Sequence, residues 1–287
     1  MPIDPTVAIG ADLGATEFAW TSADVLLYHL ALGAGATPTD ERELRYVLED
    51  RLRVLPTFGV VAPGIRVFEP PALRFPGVDV DLTKVLHGTQ SITVHAPIPP
   101  EGRAVARSRI ADVLDKGKAA VIVQETTVTA GGTPLWTATS GIFARGEGGF
   151  GGHRGPSATP LVPDREPDAV FEAPTLPQQA LLYRLCGDRN PLHADPEFAA
   201  AAGFPRPILH GLCTYGVVCR SVVDGLLDGD PGRVSHVATR FAGVVYPGET
   251  LRIRVWADGD RFVATASAVE RDDAPVLTDT VVTTGAG

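Results

Sequence analysis

Residues 183–214 read YRLCGDRNPLHADPEFAAAAGFPRPILHGLCT. Asp188, Asn190 and His193 fall within six residues, on a segment that starts as a helix, breaks at Pro191 and restarts. A carboxylate, a carboxamide and an imidazole on an interrupted helix make a poor core but can converge on one reacting centre. Each residue also has a plain structural reading. Asp188 suits a turn or a helix C-cap, Asn190-Pro191 starts turns, and a lone His193 suits surface or core. Asp195-Pro196 reads as an N-cap followed by proline at the first helical position, and Gly203 as the stop of that helix.

The chain on either side divides in two. Residues 146–168, GEGGFGGHRGPSATPLVPDREPD, are dense in glycine and proline and read as a linker between halves of ordinary domain size. The halves look like degenerate copies. TSADVLLYHLALGAG (21–35) answers TLPQQALLYRLCGDRN (175–190), with Tyr28 and Tyr183 in similar places. APIPPEGRAV (96–105) answers VVYPGETLRI (244–253), each a strand, a Pro/Gly turn and a strand. VIVQETTV and FVATASAV alternate as half-buried strands do. DERELRYVLEDRL (40–52) reads as a further helix. Helix followed by antiparallel strands, twice over, predicts an α+β fold with a helix wrapped in a curved sheet. The expected division is 1–147, a linker at 148–168, and 169–287.

Asp188-x-Asn190-Pro191-x-His193, then Asp195-Pro196, then G-F-x-x-P-I-x-H-G-L at 203–212, resembles the signature of the MaoC-like hydratases. Among these the (R)-specific 2-enoyl-CoA hydratases, hydratase 2, are nearest. The resemblance implies a double hot-dog fold, two tandem curved antiparallel sheets each wrapped around a central helix. It implies that Asp188 and His193 activate one water against a trans-2-enoyl thioester, giving a (3R)-3-hydroxyacyl-CoA. Asn190 would orient the water or the carboxylate, and the Gly211 N–H would meet the thioester oxygen. Candidate substrate contacts are His210, Leu212, Arg240 and Phe241, with Arg240 suited to coenzyme A phosphates or else a plain surface arginine. Cys186 stands where the family usually has serine.

In the first half GAGATPT (33–39) replaces GDRNPLH (187–193), so no acid–base pair stands there. The resemblance implies a supporting half that widens the acyl cleft for medium, long or bulky groups, fatty or sterol side chains among them. His87-Gly88 is a weaker HG echo and reads as structural. Two rival functions remain, a hot-dog acyl-CoA thioesterase and a non-catalytic acyl-thioester-binding subunit.

Composition narrows the rest. A net charge of −9 and only three lysines, Lys84, Lys116 and Lys118, speak against a nucleic-acid surface. His193, Asp195 and His210 lack metal-ligand spacing, so neither metal nor cofactor is expected. Cys186, Cys213 and Cys219 form no framework and suggest free thiols in a reducing compartment. No secretory signal or membrane span is read, and TTGAG is no organellar address, so the expected location is cytoplasmic. The expected partner is an acyl-CoA substrate, with the protein a monomer or a homodimer of double hot dogs.

Overall fold

The computed structural model describes residues 3–67, 75–80, 85–156 and 161–285. The first half runs α1 (Pro5–Ala8), β1 (Asp12–Trp20), α2 (Ser22–Ala31), α3 (Glu41–Leu44), α4 (Phe58–Val61), β2 (Val85–Val94), β3 (Gly102–Asp115), β4 (Ala119–Ala130) and β5 (Thr133–Arg145). The second runs β6 (Ala169–Pro174), α5 (Gln179–Tyr183), α6 (Pro196–Ala201), α7 (Gly211–Leu226), β7 (Val234–Phe241), β8 (Thr250–Asp258), β9 (Arg261–Ala268) and β10 (Ala274–Thr284).

Among the described residues the strands form one antiparallel sheet ordered β1-β3-β4-β5-β2-β7-β10-β9-β8-β6. Reading outward from β2 and β7, the two halves have the same order. This is the double hot dog. The paired turn phrases land between β2 and β3 and between β7 and β8, while the two alternating strands are β4 and β9. The seam is an antiparallel β2–β7 ladder from Thr89 opposite Arg240 to Thr93 opposite His236.

The central helix of the second half is α7. Cys213 to Cys219, with Val222 and Val223, are buried along it, and each buried valine contributes about 1.5–3 kcal/mol. Gly216 sets the approach of α2, because a Cβ there would lie 2.7 Å from Leu32 Cδ2 and from the Tyr28 hydroxyl. Among the described residues the first half shows no equal of α7. At the matching chain position, between α2 and β2, stands the single turn α4. One core nevertheless spans both halves, with Trp20, Tyr28, Phe58 and Trp136 from the first and Tyr183, Tyr215, Val222 and Val255 from the second.

The helix expected over 40–52 is not formed. Asp40 caps α3, which ends after one turn, and a 3-10 turn follows at Glu49–Arg51. Tertiary contacts take the middle of the segment. Arg45 donates to the Asp228 and Gly229 carbonyls, and the buried Tyr46 hydroxyl donates to Asp224 at 2.7 Å. Such contacts outweigh helix propensity, which is worth only tenths of a kcal/mol per residue.

The start of the Gly-rich stretch is fastened rather than loose. The Asp115 carboxylate accepts N–H bonds from Gly117, Gly149 and Gly151 at 2.8–2.9 Å, which hold its pKa below the usual carboxylate value. Phe150 packs with Ile110, Val113 and Ile122 in a second small core. No described helix is long and apolar enough to cross a membrane.

Candidate active site

The loop carrying Asp188 is built by local hydrogen bonds and braced on the first half. Gly187 has φ +118°, and a Cβ there would lie 2.3 Å from the Gly64 carbonyl oxygen. Only glycine allows that backbone approach. Asp188 Oδ1 accepts from the Asn190 N–H at 3.1 Å, and Asn190 Oδ1 accepts from the Leu192 N–H at 3.0 Å. The Asn190 carboxamide oxygen therefore caps the 3-10 turn Pro191–His193. That gives the carboxamide oxygen a structural task. Asp195 caps α6 as expected, accepting from the Glu197 and Phe198 N–H groups.

This turn delivers His193 beside His210, the N-cap of α7. The rings stack with centroids 3.7 Å apart and planes 28° apart. His193 Nδ1 lies 2.8 Å from the Ile208 carbonyl oxygen, which fixes the proton on Nδ1 and leaves Nε2 with a lone pair. His210 Nε2 donates to the Asp188 carbonyl oxygen at 3.2 Å. A carboxylate oxygen of Asp188 and a ring nitrogen from each histidine all lie within 4.8 Å of one another. Asp188 is exposed while both imidazoles are buried.

Burial drives the electrostatics. Desolvation lowers the His193 pKa, opposed by the bond to Ile208 and by the Asp188 charge. His210 is lowered to about 3, by burial first and by His193 second. Both rings are thus neutral near pH 7 and act as hydrogen-bonding groups rather than cations. The trio is a weak metal site, since His193 Nδ1 and His210 Nε2 already carry protons for the Ile208 and Asp188 carbonyls. Zinc asks its ligands to converge at about 2.0–2.2 Å.

Buried neutral histidines also set the acid response. His29, fully buried between the Tyr46 carbonyl and the Leu55 N–H, is lowered by desolvation from 6.5 to about 4. Below pH 6.5 the unfolded chain binds protons that folded His29 and His210 refuse. Stability should therefore be full above pH 6.5 and fall as the pH drops toward 4. The slope is up to about 1.4 kcal/mol per pH unit for each ring. Thermal unfolding from pH 7.5 to 4 checks this, and a flat Tm would contradict two neutral buried rings.

The start of α7 faces the same place. The first N–H groups of a helix have no intrahelical acceptor, and the His210 side chain makes no cap bond to them. Gly211 is exposed, and its N–H stands at the positive end of the helix dipole, where an anionic oxygen is favoured. Its glycine character serves packing as well, because a Cβ would lie 2.9 Å from Phe241 Cε1. Phe241 thus packs at the start of α7, and Phe241 and Leu212 are both partly buried against the core.

Arg240 does not join them. Adjacent strand residues point to opposite faces; Phe241 faces α7, so Arg240 lies on the outer face, 4.0 Å from Asp279. There Arg240 stands as the surface arginine that its sequence reading also allows. His87, read as structural, packs its ring against that of Phe241, with centroids 4.7 Å apart. Cys186 is buried, its thiol pushed up to about 12 by desolvation, and Cys213 and Cys219 are buried too, which suits inert packing. Two clefts of about 310 and 700 Å3 open near Arg53 and Pro100, and Asp188, His193 and His210 line neither.

Comparison with known proteins agrees with this arrangement. The MFE-2 hydratase 2 N-terminal domain family matches residues 18–146, and the MaoC-like domain family matches residues 158–276. The chain is 59% identical to enoyl-CoA hydratase ChsH3 of Mycobacterium tuberculosis, over 96% of this chain and 97% of that protein. It is 38% identical to the probable enoyl-CoA hydratase 2 of Dictyostelium discoideum, over 98% and 96%. The crystal structure of a MaoC-like dehydratase from Phytophthora capsici superposes with a TM-score of 0.89 at 28% identity, covering 99% of this chain and 98% of that one. Matched along both halves and nearly end to end, the chain belongs to the MaoC-like hydratase 2 family in its double hot-dog form.

Proposed function

We propose that this protein is a hydro-lyase that reversibly hydrates trans-2-enoyl-CoA to (3R)-3-hydroxyacyl-CoA without a cofactor. The observation that carries the reading is the meeting of Asp188, His193 and His210 within 4.8 Å at the uncapped start of α7. The Asp188 carboxylate and His193 Nε2 hold one water between them. The water oxygen bonds to the β-carbon, and the π electrons move onto the thioester as an enolate. The Gly211 N–H stabilises that oxygen. The proton lost by the water passes to the Asp188–His193 pair, which returns one to the α-carbon on the same face. His210 holds the loop through the Asp188 carbonyl and stacks on His193, while Leu212 and Phe241 border the acyl thioester.

The helix reduced to α4 in the first half supports a preference for medium, long or bulky acyl groups, such as fatty or sterol side chains. The break between the matched spans, after 146 and before 158, supports a supporting half at 1–147 and a catalytic half at 169–287, and the second span overlaps the end of the linker at 148–168. The β2–β7 seam supports a monomer that already contains the hot-dog pair, or a homodimer of such units. Three buried free thiols support a reducing compartment, the cytoplasm.

The test follows the absorbance of the conjugated thioester with crotonyl-, decenoyl- and a steroid-side-chain enoyl-CoA. Loss of the enoyl band, with chiral analysis giving the (3R) product, is the expected result. Release of free coenzyme A from saturated acyl-CoA, with no hydration, would replace this reading with a thioesterase.

A further inference from the structure

We infer that the cleft of about 310 Å3 is a second, non-catalytic binding site for an aliphatic chain with an anionic head, the chemistry of an acyl-CoA, a ligand class that rests on the hydratase reading above.

The cleft lies where the symmetry of the two halves places a second site. The middle pair of the seam is Ser91 opposite Ala238, so a twofold axis there exchanges the halves. Val94 then answers Phe241, each three residues past the middle pair, and Val234 answers His87, each four residues before it. On the helical side, TFGVV (57–61) repeats TYGVV (214–218). Counting back from that repeat sets Arg53 in the place of His210 and Val54 in the place of Gly211. Arg53, Val54, Val94 and Val234 all line the one cleft. It is the counterpart of the candidate active site, at the opposite end of the seam.

Substitution has removed the chemistry there and kept the space. No acid–base pair stands in this half, and valines replace Gly211, Phe241 and His87. Pro56 and Ile98 extend the aliphatic wall. Such a wall takes an alkyl chain, each buried CH2 raising affinity about fourfold. Arg53 offers the head a cation. Its side chain is 59% exposed and pairs with Asp230 at 3.3 Å, an exposed pair of little worth that an anionic head can exchange. The adjoining cleft of about 700 Å3 shares Leu52, Arg53 and Pro100, and sets Arg45 and Arg51 against Glu41, Glu49 and Asp50. That mixed rim is no phosphate clamp, so acyl length sets the affinity more than the head does.

The test titrates decanoyl-CoA, which has no double bond to hydrate, into wild type, Ala96→Trp, Ser235→Tyr and Gly211→Val by calorimetry. Ala96 and Ser235 line the cleft, so the larger side chains fill it, and thermal unfolding confirms that each variant is folded. Wild type should bind two decanoyl-CoA per protein chain. Ala96→Trp and Ser235→Tyr should each bind one, with kcat and KM for crotonyl-CoA within about twofold of wild type. Gly211→Val should also bind one, at the other site. Butyryl-CoA should fill the second site at least about 100-fold more weakly than decanoyl-CoA. Competition by decanoate in Gly211→Val would make free fatty acids a ligand too, and its failure would leave the thioester as the ligand; both results support the site. One decanoyl-CoA per wild-type chain, bound equally well by both filled variants, would overturn the inference. So would a single site weakened by the filled variants and by Gly211→Val alike, which would make the cleft the far end of the catalytic acyl channel. If wild type fails to hydrate enoyl-CoA, the hydratase reading falls. Decanoyl-CoA binding abolished by Ala96→Trp would then still support the cleft, and binding left intact would overturn it.

Discussion

Replacement of Asp188 by asparagine should cut kcat on trans-2-enoyl-CoA by about 10²–10⁴, with the enoyl-band assay as the readout. That range corresponds to roughly 3–5.5 kcal/mol of transition-state stabilisation. Structure should survive. Asp188 is exposed, and the bond it accepts from the Asn190 N–H can be accepted equally by an amide oxygen. The variant keeps shape and polarity and removes the basic charge. His193→Gln should cost a similar factor, with some loss of stability because the bond to the Ile208 carbonyl is buried. In the proposed mechanism the two residues act on one water, so the double variant should be little worse than either single one. A folded Asp188→Asn protein hydrating crotonyl-CoA at the wild-type rate would remove the carboxylate from the mechanism.

Gly211→Val should be the other severe variant, losing at least about 10²–10³ in kcat, the usual cost of one missing oxyanion donor. Two consequences of the same Cβ combine. It intrudes to within 2.9–3.0 Å of two Phe241 ring carbons, and its methyl groups crowd the N–H that the thioester oxygen must reach. A second variant separates them. Phe241→Leu in the Gly211→Ala background should relieve the crowding and recover thermal stability without recovering the rate. Recovery of both would make Gly211 a packing residue only.

The elements that were legible in the sequence are those whose causes are local. The turns at Pro99-Pro100 and Tyr246-Pro247-Gly248, the alternation in β4 and β9, and the Asp195-Pro196 cap each depend on a few neighbouring residues. The D-x-N-P-x-H motif is similarly compact, so its grouping could be read before its geometry. What was missed depends on distant partners. The charged run 40–52 has helical spacing, yet Arg45 and Tyr46 are committed to the end of α7. His87, read as structural, packs against Phe241 of the other half, a contact set by the pairing of β2 with β7 across the seam. Arg240 is a different case. Alternation along β7 already sets Arg240 and Phe241 on opposite faces of the sheet, which is legible from the residues alone.

The β2–β7 seam also governs how the molecule must be made. It pairs residues about 150 positions apart, Thr89 with Arg240 for example, so it closes late in a chain emerging from its N-terminus. Until β7 is synthesised, β2 is the open margin of a five-stranded sheet, with backbone donors and acceptors unanswered and Trp136 and Phe58 awaiting their partners across the core. Such a margin is a template for pairing with another nascent copy. Fusing the halves in one chain supplies the missing strand at high effective concentration, which makes the second half the intramolecular guardian of the first.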